Sequence, residues 1–465
     1  MKSTLKLDST ATALQLLFAY SCPSIFFSSC YRSTARIEMT MKILFSLVWL
    51  ANSPSVSAFL TSSQSHHAST TSPGRPFSVA VANTAAASTS TTAEGTKADA
   101  TIDNAEATSQ TNLGNKVMWT PTKPQETKMY EFLQSIDGLA SSDDSASSYS
   151  DLWKWSVEHS DEFWVQLLNF LDLDYQGTTS PVKEGDTMPD VTYFPNVQLN
   201  FAQNLLRYAR DDSMKDVDAV VSVSESRGGY YADEDTHRVW SFAELEDDAA
   251  RVSASLRSLG VTQQDSCGAY LPNLGETIVA MLGTTATGSI WTSCSPDFGS
   301  QAVADRFSQV APKVLFVANG YVSKGERISM VDKVEELVEA LPTLEQIVVI
   351  ELLQDDAGAN LTKPEFTSPR VLDLMITWDD FLAQHNDEDG SAPDPEYQPV
   401  PFSHPQFVLY SSGTTGLPKS IAHGAGNTLL QHAKELILHS DLRPQDRMLF
   451  FTTCGWMMWN WMTSR

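Results

Sequence analysis

Residues 408–424 read VLYSSGTTGLPKSIAHG, an apolar run that breaks into serines, glycines and threonines before Pro418 and Lys419. The β-branched and aromatic content from Gln406 to Tyr410 is that of a short buried strand. Gly413 and Gly416 can take up positive φ, so the strand is expected to end in a tight, exposed loop. Such a loop turns successive backbone N–H groups toward one point. Ser411, Ser412, Thr414 and Thr415 add hydroxyl donors, and Lys419 adds a positive charge. That donor set suits a polyphosphate. The spacing is not the G-x-x-x-x-G-K-[ST] loop, because Pro418 stands where that motif has glycine. The competing reading is a flexible Ser/Gly/Thr connector, but connectors seldom follow a buried strand or end in a fixed Pro-Lys.

The surrounding chain alternates helical and strand periods. Ser241 to Gly260 reads as one helix, with Ser241 and Glu244 as a capping box, Leu245, Ala249, Val252, Leu256 and Leu259 on one stripe, and Gly260 as the stop. SCGAYLPN then reads as a strand, Thr277 to Thr287 as a second helix and SIWTSC as a second strand. Ser300 is expected to cap a third helix. KVLFVA and EQIVVIE are further strands, separated by a helix around Met330 to Leu341. This alternation predicts an α/β fold with a doubly wound, largely parallel sheet, in which ligands bind beyond the carboxyl ends of the strands. The opening loop lies at such an end. Upstream, DLWKWSVEHSDEFWVQLLNFLDL predicts two short helices broken near Ser160, burying Trp153, Trp155, Trp164, Leu167, Leu168 and Leu171 in a small core.

Composition bounds the function. The 465 residues are 42% hydrophobic and 10% aromatic, an ordinary globular balance for two or more domains. With 31 Lys plus Arg against 57 Asp plus Glu, the net charge of -26 disfavours nucleic acid and anionic membranes as partners. The five cysteines include no C-x-x-C pair, and the nine histidines, His432 and His439 among them, form no metal-binding pattern. Asn360-Leu361-Thr362 is a glycosylation sequon that matters only in a secretory lumen.

The amino-terminal end reads differently. Met41 to Leu50, MKILFSLVWL, followed by SPSVSAF, has a signal-peptide layout too short to span a membrane, which takes about 20 apolar residues. Residues 60–112 are rich in Ser, Thr and Ala, as transit peptides are. The alternatives are a disordered leader or a mispredicted first exon, with Met39 or Met41 as the true start.

The run YSSGTTGLPK resembles the phosphate-binding signature of the acyl-adenylate-forming, AMP-binding ligases. NFAQNLL, YLPNLGETIVAMLGTTATGSIWTSCSPDFG, DRFSQVAPKVLFVANGY, LPTLEQIVVI, TWDDFL and TTCGWMMWNW follow the order of the acetoacetyl-CoA synthetase branch from about Trp119 onward. The acetyl-CoA branch usually has lysine where Leu417 stands and a different sequence around Trp456, so the resemblance points to acetoacetate rather than acetate. It implies a leader over 1–112, a helical region over 113–225 and an adenylation domain over 226–465. It also implies ATP and coenzyme A as substrates, with Mg²⁺ as activator. By family position, Ser411, Ser412, Gly413, Thr414, Thr415, Gly416 and Lys419 hold the ATP phosphates, with Thr414 nearest the metal. Trp456, Met457 and Met458, at the end of an expected strand RMLFFTT, border the acyl pocket, core packing being the other reading. Lys324 and Arg327 in YVSKGER are candidates for the CoA phosphates. The residues that in the family hold adenine and ribose, and the carboxyl-terminal catalytic lysine, have no counterpart before Arg465. The chain is therefore expected to be a truncated ligase, the alternative being a nucleotide-binding or regulatory remnant, with catalytic residues and oligomeric state unassigned. The family is cytoplasmic, whereas the segment near residues 41–60 implies plastid or secretory routing.

Overall fold

The helix that the capping box announces is present as α1 (Phe242–Ser258). Ser241 and Glu244 bond reciprocally, and Gly260 closes the helix at φ +69°. From there the chain alternates β1 (Ser266–Tyr270), α2 (Gly275–Ala286), β2 (Ile290–Cys294), α3 (Ser300–Phe307), β3 (Val314–Ala318), α4 (Val331–Ala340) and β4 (Gln346–Ile350). It continues through β5 (Met375–Thr377), α5 (Trp378–Ala383), β6 (Pro405–Ser411), β7 (Lys419–Gly424), α6 (Ala425–Ala433) and α7 (Met457–Met462). This computed structural model describes residues 122–139, 148–188, 190–227, 237–356, 361–411, 416–444 and 446–464. The leader expectations and the Asn360 acceptor lie outside the described residues.

The seven strands form one sheet in the order β5-β4-β3-β1-β2-β6-β7, parallel except for the antiparallel edge strand β7. The chain steps from β1 to β2 on one side and then crosses to β3 on the other. Strand order therefore reverses at β1, the position where such sheets open a crevice at their carboxyl edge. Cys267, Ala269, Trp291, Phe316 and Phe407 bury one face beneath α1 and α2. Leu315, Val317, Ile347 and Val349 bury the other beneath α3 and α4. Near-continuous apolar strands result, as expected of a sheet covered on both sides.

Three expectations are corrected. Gly299, not Ser300, occupies the N-cap of α3; Ser300 is its first residue, and its hydroxyl reaches Glu336 on α4. RMLFFTT forms no strand. It pairs with none of the described strands, and Leu449 and Phe451 are left exposed. In the amino-terminal helices Tyr149–Glu158 and Ser160–Phe170, which break at His159, Trp153 faces solvent. It sits one residue beyond the buried Leu152, about 100° further round the helix. The core there is instead made by Phe132, edge-on to Phe163 and Phe170, with Leu167, Leu168 and Leu171. Asn200 fastens this region to the sheet domain, its buried amide donating to the carbonyls of Thr285, Ala286 and Gln398.

Candidate functional site

The opening stretch folds as a strand, a loop and a returning strand. β6 carries the buried Phe407, Val408 and Leu409 to the carboxyl edge of the sheet and ends at Ser411. Lys419 begins β7 and pairs with Ser411 as the last rung of their ladder. Ser412, Gly413, Thr414 and Thr415 lie outside the described residues. Gly416 has φ +131° with open space where a side chain would stand, and Leu417 and Lys419 are exposed. The return strand was not legible in the sequence. Lys419, Ser420, Ile421 and Ala422 are all exposed, so they carry no alternating apolar signal. Its consequence is that the Lys419 backbone is held in a ladder rather than left on a free loop. Just ahead of it, Gln309 Nε2 donates to the Pro418 carbonyl at 2.9 Å.

A second segment, Thr452 to Trp459, crosses the carboxyl ends of β1 and β2 and is fastened by three side chains. Ser293 Oγ donates to the Cys454 carbonyl at 2.6 Å, the Cys454 thiol donates to the Leu271 carbonyl at 3.2 Å, and Trp459 Nε1 donates to Asn273 Oδ1 at 2.8 Å. Gly455 lies over the end of β2, where a Cβ would meet the Ser293 carbonyl at 3.4 Å. Beyond it, Trp456 and Met457 are exposed and Met458 is half-buried, whereas Trp459 and Asn460 are buried. The core-packing role expected for this run falls on Trp459, three residues after Trp456.

Lys324 and Arg327 lie on a hairpin, Gly320–Ser323 paired with Glu326–Ser329, that leaves the carboxyl end of β3. Lys324 and Gly325 form its tip at φ +55° and +79°, the left-handed pair that a two-residue hairpin turn requires. The tip is anchored where Glu225 accepts from the Gly325 N–H, at 2.9 Å. Arg327 lies on the second strand, its guanidinium donating to the Gln354 carbonyl at 2.8 Å. Lys324 is thus presented to solvent, and Arg327 is partly engaged. Sequence reasoning missed Asn319 at the hairpin root. This buried amide accepts from the backbone of Leu352 and Leu353 and donates to the Leu353 carbonyl.

Burial sets the protonation of the remaining reactive side chains. The Cys267 and Cys454 thiols are pushed up to about 12, and Cys294 is also raised, so none is a thiolate at neutral pH. His432 is lowered to about 3 and His439 to about 4, both by burial first, which leaves neutral imidazoles inside the fold. No group of three His, Cys, Asp or Glu side chains among the described residues is placed to hold a metal ion. A surface cavity of about 330 Å³ is lined by Arg238, Trp240, Asp248 and Arg251. Its two arginines are paired, Arg238 with Glu276 and Asp248 and Arg251 with Asp248. The donors at the carboxyl edge are the better candidates for a ligand.

Residues 213–463 match the family model described as AMP-binding enzyme, and residues 149–205 match one described as acetyl-coenzyme A synthetase N-terminus. An acetoacetyl-CoA synthetase of Macaca fascicularis is 37% identical over 75% of this chain and 49% of its own length. A malonamoyl-CoA synthetase of Penicillium aethiopicum is 35% identical over 76% of this chain and 46% of its own. Among solved structures, an acetoacetyl-CoA synthetase from Streptomyces lividans superposes with a TM-score of 0.63 at 36% identity, covering 73% of this chain and 48% of that one. The chain spans about half the length of the curated relatives it matches.

Proposed function

We infer that this chain, which belongs to the AMP-binding enzyme family, supplies the nucleotide-binding sheet of an acid–thiol ligase that makes acetoacetyl-CoA. In the first step the acetoacetate carboxylate attacks the α-phosphorus of ATP, giving acetoacetyl-adenylate and pyrophosphate. In the second, the CoA thiol attacks the activated carbonyl, releasing AMP and a proton. The observation that carries the reading is the loop between β6 and β7. It leaves the sheet at Ser411, on the carboxyl edge of a doubly wound sheet, and returns at Lys419, and its sequence is a run of hydroxyl residues and glycines. Displacement at phosphorus is accelerated by positioning and by neutralising charge on the phosphate oxygens, and those donors supply both.

The metal fits as a companion of the nucleotide. Mg²⁺ would be carried on the ATP phosphates, near Thr414, where it would neutralise charge on the phosphate oxygens. The substrate is read as a short carboxylate bearing a carbonyl at C3. Acetoacetyl and malonamoyl groups, named in the similar proteins, share that feature. The acetyl-coenzyme A synthetase description of the model matched at 149–205 favours acetate as the second reading.

Carboxylate-dependent exchange of labelled pyrophosphate into ATP, measured with acetate, acetoacetate, butyrate and octanoate on a version extended at its carboxyl end to the length of its relatives, separates these readings. A maximum at acetoacetate is expected. A maximum at acetate or octanoate overturns the substrate, and MgATP binding without exchange supports a nucleotide-binding remnant.

A further inference from the structure

The ladder between β2 and β6 consists of a single pair, Phe407 with Trp291. Past that pair, toward the loop, β6 is held to the interior of the sheet by side chains. Thr292 Oγ1 lies 2.8 Å from the Val408 carbonyl and 3.0 Å from the Tyr410 hydroxyl. A threonine hydroxyl has one proton, and a carbonyl can only accept. Thr292 therefore donates to Val408, and Tyr410 donates to Thr292. The phenol of the residue immediately before Ser411 is thus turned toward Thr292 on β2. Its ring also lies beneath Arg306, whose guanidinium carbon is 5.9 Å from the Tyr410 ring centre and 4.6 Å from that of Phe298. Burial raises the Tyr410 phenol well above its ordinary value, so it remains a neutral donor.

We propose that Tyr410 and Thr292 are positioning residues for the phosphate loop, a hydroxyl relay that replaces the missing β2–β6 ladder and fixes the direction in which Ser411 enters the loop. This rests on the phosphate-loop reading above. Neither side chain touches the nucleotide; both act through the backbone of Val408 and Ser411. A loop whose root can swing presents its donors off-axis, and charge-assisted bonds to phosphate weaken with small angular errors. The outer side of β6 is held independently by its ladder with β7. Loss of the relay should therefore loosen the loop root without unfolding the strand.

The test is the affinity of the chain for MgATP, with thermal unfolding measured on the same samples, for Tyr410→Phe, Thr292→Val, Thr292→Ser and the Phe/Val double variant. Tyr410→Phe and Thr292→Val are each expected to weaken MgATP by about tenfold. Thr292→Ser, which keeps the hydroxyl, should stay within about twofold, and the double variant should be no weaker than the worse single one. Tyr410→Phe binding MgATP as tightly as the parent, or losing only thermal stability, overturns the relay and leaves the phosphate-loop reading standing. Failure of the parent itself to bind MgATP overturns both.

Discussion

Ser411 and Lys419 face each other as the last pair of the ladder between β6 and β7, so eight steps of chain return to within one rung of where they left. Closure of this kind sets the loop's span before any ligand arrives. Both ends of the loop, Ser411 and Lys419, are thereby fixed at the carboxyl edge.

Removing the charge or the hydroxyls should weaken nucleotide binding and leave the fold alone. Lys419→Ala is expected to lose about ten- to hundredfold in MgATP affinity, the range of a bond to a charged group, with the unfolding midpoint unmoved because Lys419 is exposed. In a version extended at its carboxyl end to the length of its relatives, Thr414→Val with Thr415→Val should lower the adenylation rate by about 10²-fold, at about 1 to 2 kcal/mol for each donor. Adenylation at the parental rate by the double variant would return the loop to a plain connector.

Ser293→Ala tests the strap across the sheet's carboxyl edge. The substitution leaves the Cys454 carbonyl without its 2.6 Å donor in a buried setting, at a cost of about 1–3 kcal/mol. Urea unfolding should show a lower midpoint with an unchanged slope. An unshifted midpoint would mean that the Ser293 contact contributes nothing to holding the segment.

Gly283→Ala tests the contact between α1 and α2. A Cβ there would stand 2.4 Å from Val252 Cγ1 and 3.0 Å from the Ala249 carbonyl, so α1 must move. The expected loss is about 1–3 kcal/mol, against the small gain alanine brings in an exposed helix. A stabilised variant in the same urea assay would show that the two helices are not packed this closely.

The acid limb of the stability curve should report His432. Its folded value is lowered to about 3, by burial first and then by His423, while the unfolded chain titrates at about 6.5. The unfolded state therefore takes up the proton first. Stability is full above about pH 6.5 and falls as pH drops toward about 3, by about 2 kcal/mol at pH 5 from this group alone. His439, also lowered, acts in the same direction, and Glu435, raised by burial, acts in the opposite one. Comparing the parent with His432→Gln between pH 7 and pH 5 isolates the contribution, and equal slopes would show that His432 is solvated.

The sequence by itself determined the alternation from α1 to β4 and the class of sheet, because those depend on local signals. The Ser241/Glu244 box, the stop at Gly260, the apolar runs of β1 to β4 and the small-residue loop after β6 each declare themselves within a few residues. What only the tertiary structure decided depends on neighbours that the sequence does not reveal. β7 is a strand because β6 offers it an edge, whereas RMLFFTT, equally apolar in sequence, pairs with none of the described strands. Trp153 and Trp459 have similar sequence surroundings, yet one faces solvent and the other lies buried against Asn273. The relay from Tyr410 through Thr292 to Val408 joins residues 118 and 116 positions apart, and only the parallel alignment of β2 and β6 brings them within hydrogen-bonding distance.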